Sequence, residues 1–333
     1  MTRQKLLIRQ LLTTGVAVTA TLTLSAPVLA EDADTIDMVA GPQCDVVFAV
    51  NDKALNNSQI VFMGGDGTGV TPLGVEYPGY DLEAMDIDAN NVLYAASGDD
   101  TANQGHLYKV NKTTAALTDL GALCVREADG ISFNLQDNTL WGWGQDQGLF
   151  HITRGADGEL DLSTCQIVLT GPDELEDLTW DNEGDTLYAV GNVSDDDHDA
   201  SNDDGKTRTI IAYSPATNDI QQICRAEMEP ITSEIEGMEM QPDGTLMFTY
   251  HNEHRVSVYG YIDPNSCMLY TGLDEPNPTP YNDIEALACC VDKGSDLPWT
   301  YQKDYIGDQT GSTKLEIYGM AVKIDNGVMT VAI

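Results

Sequence analysis

Positive charge is scarce in this 333-residue chain, where 16 Lys and Arg stand against 54 Asp and Glu for a net charge of −38 at pH 7. Three of those cations, Arg3, Lys5 and Arg9, fall in the first ten residues, which leaves 13 for everything after them. A surface so negative repels DNA, RNA and anionic lipid, and this argues against any partner held through its phosphates. Histidine is also thin: His106, His151, His198, His251 and His254 are scattered, no GxSxG occurs, and no hydrolase triad is visible. The seven cysteines (44, 124, 165, 224, 267, 289 and 290) contain no CxxC pair, which argues against a zinc knuckle or a thioredoxin-type redox site. Beyond residue 30 no stretch is apolar for long enough to span a bilayer, and no long helical periodicity appears.

The N-terminus carries its own signal. Arg3, Lys5 and Arg9 precede a mostly apolar stretch from Leu11 to Leu24, and Ala26-Pro-Val-Leu-Ala30 supplies small residues for cleavage. Residues 1–30 therefore read as a secretory signal peptide, residues 31–43 as a linker, and the expected location is extracellular, cell-surface or periplasmic. Exported cysteines are expected to be oxidised, with one left over from an odd count.

What the chain has in abundance is repetition. A phrase of acid, any residue, acid, small or acidic residue, then aliphatic residue returns five times. It reads Asp81-Leu-Glu83-Ala-Met85, Glu127-Ala-Asp129-Gly-Ile131, Glu174-Leu-Glu176-Asp-Leu178, Glu234-Ile-Glu236-Gly-Met238 and Asp283-Ile-Glu285-Ala-Leu287. The second acids are 46, 47, 60 and 49 residues apart, and an acidic insertion at 194–205 accounts for the longest gap. After each of the first four phrases come a turn and two further short alternating strands, such as Asn91-Val-Leu-Tyr-Ala-Ala and His106-Leu-Tyr-Lys-Val, then a weaker fourth. Four strands per 40–50 residues is the period of a propeller blade.

The fold expected is all-β: a β-propeller of four-stranded blades over 44–292, with five blades favoured over six. Residues 45–74 supply three strands without an innermost one, and Glu285-Ala-Leu-Ala-Cys-Cys290 is an innermost strand without followers. Pairing the two closes the ring and brings Cys44 across from Cys289 or Cys290, with Cys44–Cys290 the pair named here. The tail at 293–333 reads as a sixth blade or as the start of a further module, because 317–333 mimics the hairpin of 235–250.

Chemistry concentrates on the repeated acids. Glu83, Asp129, Glu176, Glu236 and Glu285 occupy one position of the innermost strand, so rotation about the channel would arrange them in a ring. Asp81, Glu127, Glu174, Glu234 and Asp283, two residues earlier on the same side, would form an outer ring. Crowded carboxylates raise one another's pKa unless compensated, and Ca²⁺ is the natural compensator. The other reading is that these acids accept backbone N–H groups of a neighbouring blade and hold the blades in register. Asp195, Asp197 and Asp199 mimic a calcium loop, but Ala200 stands where glycine is required and Lys206 where the bidentate glutamate is required. Gly64-Gly-Asp-Gly-Thr-Gly69 lies between strands, without the helix N-terminus that a phosphate loop needs.

The segments Ile235-Glu-Gly-Met and Pro242-Asp-Gly-Thr-Leu resemble blade starts of secreted bacterial propellers of the phytase-like, NHL-type and lactonase-type families. The resemblance spans about 45–290 and implies the fold. A phytase-like activity would require basic residues around the channel, and Arg126 alone stands beside a repeat phrase; the asparagines of a lactonase-type metal site cannot be matched. Function is therefore expected to be that of an exported, non-catalytic binding propeller, stabilised by Ca²⁺, for an extracellular protein, carbohydrate or small molecule. The alternative is a metal-dependent hydrolase acting in the channel.

Overall fold

The computed structural model describes residues 44, 46–52, 56–65, 70–170, 174–194, 206–228, 231, 235–251, 257–271, 283–290, 300–303, 319–325 and 328–332. Short strands of alternating apolar and polar residues, turned by Asn, Asp and Gly, pair with their sequence neighbours. Several of those turns hold non-glycine residues at positive φ, among them Asn91, Asn138 and Asn218, a conformation that asparagine tolerates better than most residues.

Five four-stranded antiparallel sheets result. Blade II holds Leu82–Ile87, Leu93–Ser97, His106–Val110 and Leu117–Ala122, and blade III holds Gly130–Asn134, Thr139–Gly144, Gly148–Ile152 and Gln166–Leu169. Blade IV holds Glu174–Trp180, Leu187–Ser194, Lys206–Ser214 and Asp219–Ile223, and blade V holds Ile235–Met240, Leu246–His251, Ser257–Ile262 and Leu269–Thr271. Blade I is the composite one. Its innermost strand, Ile284–Cys290, pairs antiparallel with Val46–Asp52, which continues into Asn57–Gly64 and Thr71–Pro78. The five-bladed propeller is thus closed by the N-terminal strands, as the repeat implies.

Five apolar clusters fill the five gaps between neighbouring blades. Phe48, Leu82 and Met85 join blades I and II; Ala84, Phe133 and Phe150 join II and III; Trp143, Leu178 and Trp180 join III and IV. Val190, Met238 and Phe248 join IV and V, and Val47, Met63, Met247 and Leu287 join V and I. Inner strands therefore bury both faces, as Leu93–Ser97 does throughout, whereas outermost strands such as Thr71–Pro78 and Asp219–Ile223 are largely exposed.

Three disulfides reinforce these joints. Cys124–Cys165 ties the end of blade II to the outer part of blade III, and Cys224–Cys267 repeats that arrangement between blades IV and V. Cys44 bonds to Cys289, not to Cys290. The register explains the correction: Val47 faces Cys289 while Val46 faces Cys290, and successive strand residues point to opposite faces. Cys44, Val47 and Cys289 share the core between blades V and I, which puts Cys289 on the face that Cys44 meets.

Helix is confined, among the described residues, to Arg225–Met228 and one 3₁₀ turn at Leu162–Thr164, and no helix there is long and apolar enough to cross a membrane. Thr300–Lys303, Gly319–Asp325 and Val328–Ala332 form a separate three-stranded sheet, in which the last two strands make the expected hairpin. The signal segment and linker, Glu234, His198, His254, most of the glycine-rich segment and the acidic insertion beyond Ser194 lie outside the described residues.

Candidate functional site

The repeated acids are set apart by backbone irregularity. In blade II, Leu82 faces Ser97 and Ala84 faces Ala96, so Glu83 is the extra residue of a β-bulge. The same register slip makes Glu176, Glu236 and Glu285 the extra residues of blades IV, V and I. In blade III the equivalent Asp129 precedes its strand, and its N–H bonds to Trp143 O at 3.1 Å while Gly130 is the residue paired with Trp143. A bulge bends the strand and re-aims one side chain. Here it is applied at the start of the innermost strands of blades II, IV, V and I.

These carboxyls sense one another around the ring. Burial pushes Glu83 up to about 10, reinforced by the charges of Asp81, Asp129, Glu127 and Asp99. Asp129 is pushed up to about 9 by burial and then by Glu127 and Glu176, and Glu127 to about 7 by burial and then Asp99 and Asp81. Burial also raises Glu285 well above the carboxylate range, with Glu236, Asp283 and Glu83 adding to it. Ligand oxygens of Glu83, Glu127 and Asp129 lie within 4.8 Å of one another, and those of Asp52, Asp283 and Glu285 do likewise. One Glu83 oxygen, Oε2, is buried without a hydrogen-bond donor. Gly98 makes room for this carboxyl, because a Cβ there would lie 2.3 Å from it.

Of the outer acids, Asp81 is buried at positive φ (54°) and accepts the Asp100 N–H at 2.8 Å, with burial raising its pKa. Glu127 and Asp283 join the two trios, and Glu174 pairs through its backbone with Asn192. Arg126, the one cation beside a repeat phrase, is exposed and reaches Asp99 at 3.5 Å.

Neighbouring blades are also bridged at a position that has no shared residue type. Three residues after each repeated acid stand Asp86, Ser132, Thr179 and Glu239 in blades II to V. Asp86 accepts the Phe133 N–H at 2.5 Å, Ser132 Oγ the Trp180 N–H at 3.1 Å, and Thr179 Oγ1 the Met240 N–H at 3.1 Å. Glu239 accepts the Cys289 N–H and closes the series. Asp177 adds one more bridge, with its carboxyl taking the N–H groups of Leu178 at 2.8 Å and Met238 at 2.7 Å. Acceptors buried this deeply each satisfy an N–H that would otherwise be left without a partner between blades.

Fold and site together define an acidic five-bladed β-propeller. No family model matches the chain, and no curated protein is similar to it at a significant level. Among solved structures, a nidogen/laminin complex superposes with a TM-score of 0.46 at 10% identity, covering 86% of this chain and 89% of that one. TolB from Acinetobacter baumannii gives a TM-score of 0.45 at 9% identity, with coverage of 74% and 67%.

Proposed function

We propose that this chain is an exported, non-catalytic binding propeller whose acidic channel mouth holds a hard divalent cation, Ca²⁺ in particular. The supporting observation is the trio Glu83, Glu127 and Asp129, whose oxygens converge within 4.8 Å while one buried Glu83 oxygen has no donor. Carboxylates alone suit a hard cation that takes six to eight oxygens, and a trio without His or Cys does not suit zinc. A cation there would compensate the charges that otherwise force these groups to keep their protons. The disulfides fit an oxidising compartment outside the cytosol. In this reading the cation stiffens the mouth, and the surrounding loops meet an extracellular protein, carbohydrate or small molecule.

Calorimetric titration of Ca²⁺ into the chelator-treated protein tests the reading. One or more sites should saturate, and both Glu83→Gln and Asp129→Asn should abolish the tightest. Unchanged heats in the two variants would remove the cation from the mouth.

A further inference from the structure

The joint that closes the ring carries an acidic trio of its own. Asp52 ends the N-terminal strand Val46–Asp52, while Asp283 and Glu285 flank Ile284, the first residue of the closing strand Ile284–Cys290. Backbone pairing brings the three together. The Asp52 N–H donates to Asp283 O at 3.0 Å, Asn51 pairs with Ile284, and Glu285 is the extra residue of the bulge. Carboxylate oxygens of all three lie within 4.8 Å of one another. Asp52 belongs to no repeat phrase, so the periodicity of the sequence does not point to it.

Two observations separate this trio from a solvated acidic face. The first is the Glu285 carboxyl, which is buried where it meets the other two. Burial raises it well above the carboxylate range, the charges of Glu236, Asp283, Glu83 and Asp52 raise it further, and no hydrogen-bond donor offsets them. Asp52 Oδ1 beside it is also closed to water. A buried carboxyl aimed at two others is compensated by a cation. Ca²⁺ takes its oxygens at about 2.3–2.6 Å, so oxygens up to about 5 Å apart reach one ion, and water completes its shell. The second observation is how poorly the joint is bonded otherwise. Asn51, 1% exposed, has no partner for either amide atom, and Gln59, paired with it on the next strand, leaves Oε1 unbonded. Unmet polar groups of this kind weaken the very seam at which the ring must close.

We infer that Asp52, Asp283 and Glu285 form a second divalent-cation site, in which Ca²⁺ ties the N-terminal strand to the last innermost strand and makes ring closure depend on the cation. Cys44–Cys289 fastens one end of this strand pair, and the cation fastens the other. None of its ligands belongs to the Glu83, Glu127 and Asp129 trio, so either site can fail without the other.

The test is a calorimetric titration of Ca²⁺ into the chelator-treated full chain in about 0.15 M KCl, which screens diffuse attraction to exposed acids. The Asp129→Asn protein, altered only at the first trio, should still bind Ca²⁺ at this joint, and adding Asp52→Asn should remove that binding. Ca²⁺ at about 100 times its Kd should lower the unfolded fraction of the Asp129→Asn protein about a hundredfold, read as a higher denaturant midpoint. The midpoint of the double variant should not respond. An Asp129→Asn protein that binds no Ca²⁺, or a folded double variant that keeps the heats or the midpoint shift, would overturn the inference. Should the double variant not fold, hydrogen exchange of the Asp129→Asn protein decides. Saturating Ca²⁺ should slow the amides of 46–52 and 284–290 by about tenfold or more, and unchanged exchange there overturns the site. Heats lost with Asp52→Asn alone but unaltered by Asp129→Asn would keep this site and remove the first.

Discussion

Carboxyl groups in this chain do two kinds of work, and position on the innermost strand decides which. Asp86, Asp177 and Glu239 are buried against backbone N–H groups of the next blade, where a fixed acceptor is needed whatever its charge. Glu83, Glu127 and Asp129 are buried close to one another, so without a bound cation folding makes each hold its proton more tightly than the unfolded chain does. The sign of the pH dependence follows. Their folded values, about 10, 7 and 9, lie above the unfolded range near 4, so the native state carries the extra protons between those limits. The stabilisation is complete below about pH 4 and is lost as pH rises through the folded values. In chelator, the melting temperature should fall from pH 5 to pH 8, and Glu83→Gln should flatten that slope. A slope unaffected by Glu83→Gln would show that these groups do not set it.

At the scale of the strand, the bulge sets the repeated acid apart from the residues that pair across the sheet. Glu83 is the extra residue of the bulge, and Gly98, just past the paired strand, leaves the space its carboxyl occupies. Gly98→Ala puts a Cβ into the tip of a side chain, not into backbone, so the carboxyl moves and the sheet does not. Ca²⁺ affinity should drop by about 10–100-fold, as for other changes to groups that support a metal ligand, with little change in the circular dichroism spectrum. Retained affinity would mean that Glu83 is not a ligand. The repeated acid was legible in the sequence because one residue type recurs at one spacing. The bulge was not, since it is a mismatch between two strands and leaves no mark on either alone. The bonding ring was hidden for a different reason: Asp86, Ser132, Thr179 and Glu239 share only the capacity to accept a hydrogen bond, and periodicity of residue type does not detect that.

Across the whole molecule, the problem the fold must solve is closure. A ring built from a linear chain has one joint that no peptide connection makes, and here Val46–Asp52 pairs with Ile284–Cys290 to make it. The composite blade was readable from its fragments, because a blade lacking an innermost strand and an innermost strand lacking a blade occur once each. The identity of the cysteine partner depended on strand register, which a repeat alone leaves open by one residue. Cys44–Cys289 spans 245 residues, whereas Cys224–Cys267 spans 43 between blades that the chain already joins. Loop-closure entropy grows with the logarithm of the span, so losing the first bond should cost about 1–2 kcal/mol more than losing the second, within a total of about 2–5 kcal/mol. Cys44→Ser is the informative change, because it removes the bond without leaving Cys44 a choice between Cys289 and Cys290. Denaturant unfolding of Cys44→Ser and Cys224→Ser should place the former at the lower midpoint. Equal midpoints would mean that pairing and the apolar core between blades V and I close the ring without help from sulfur.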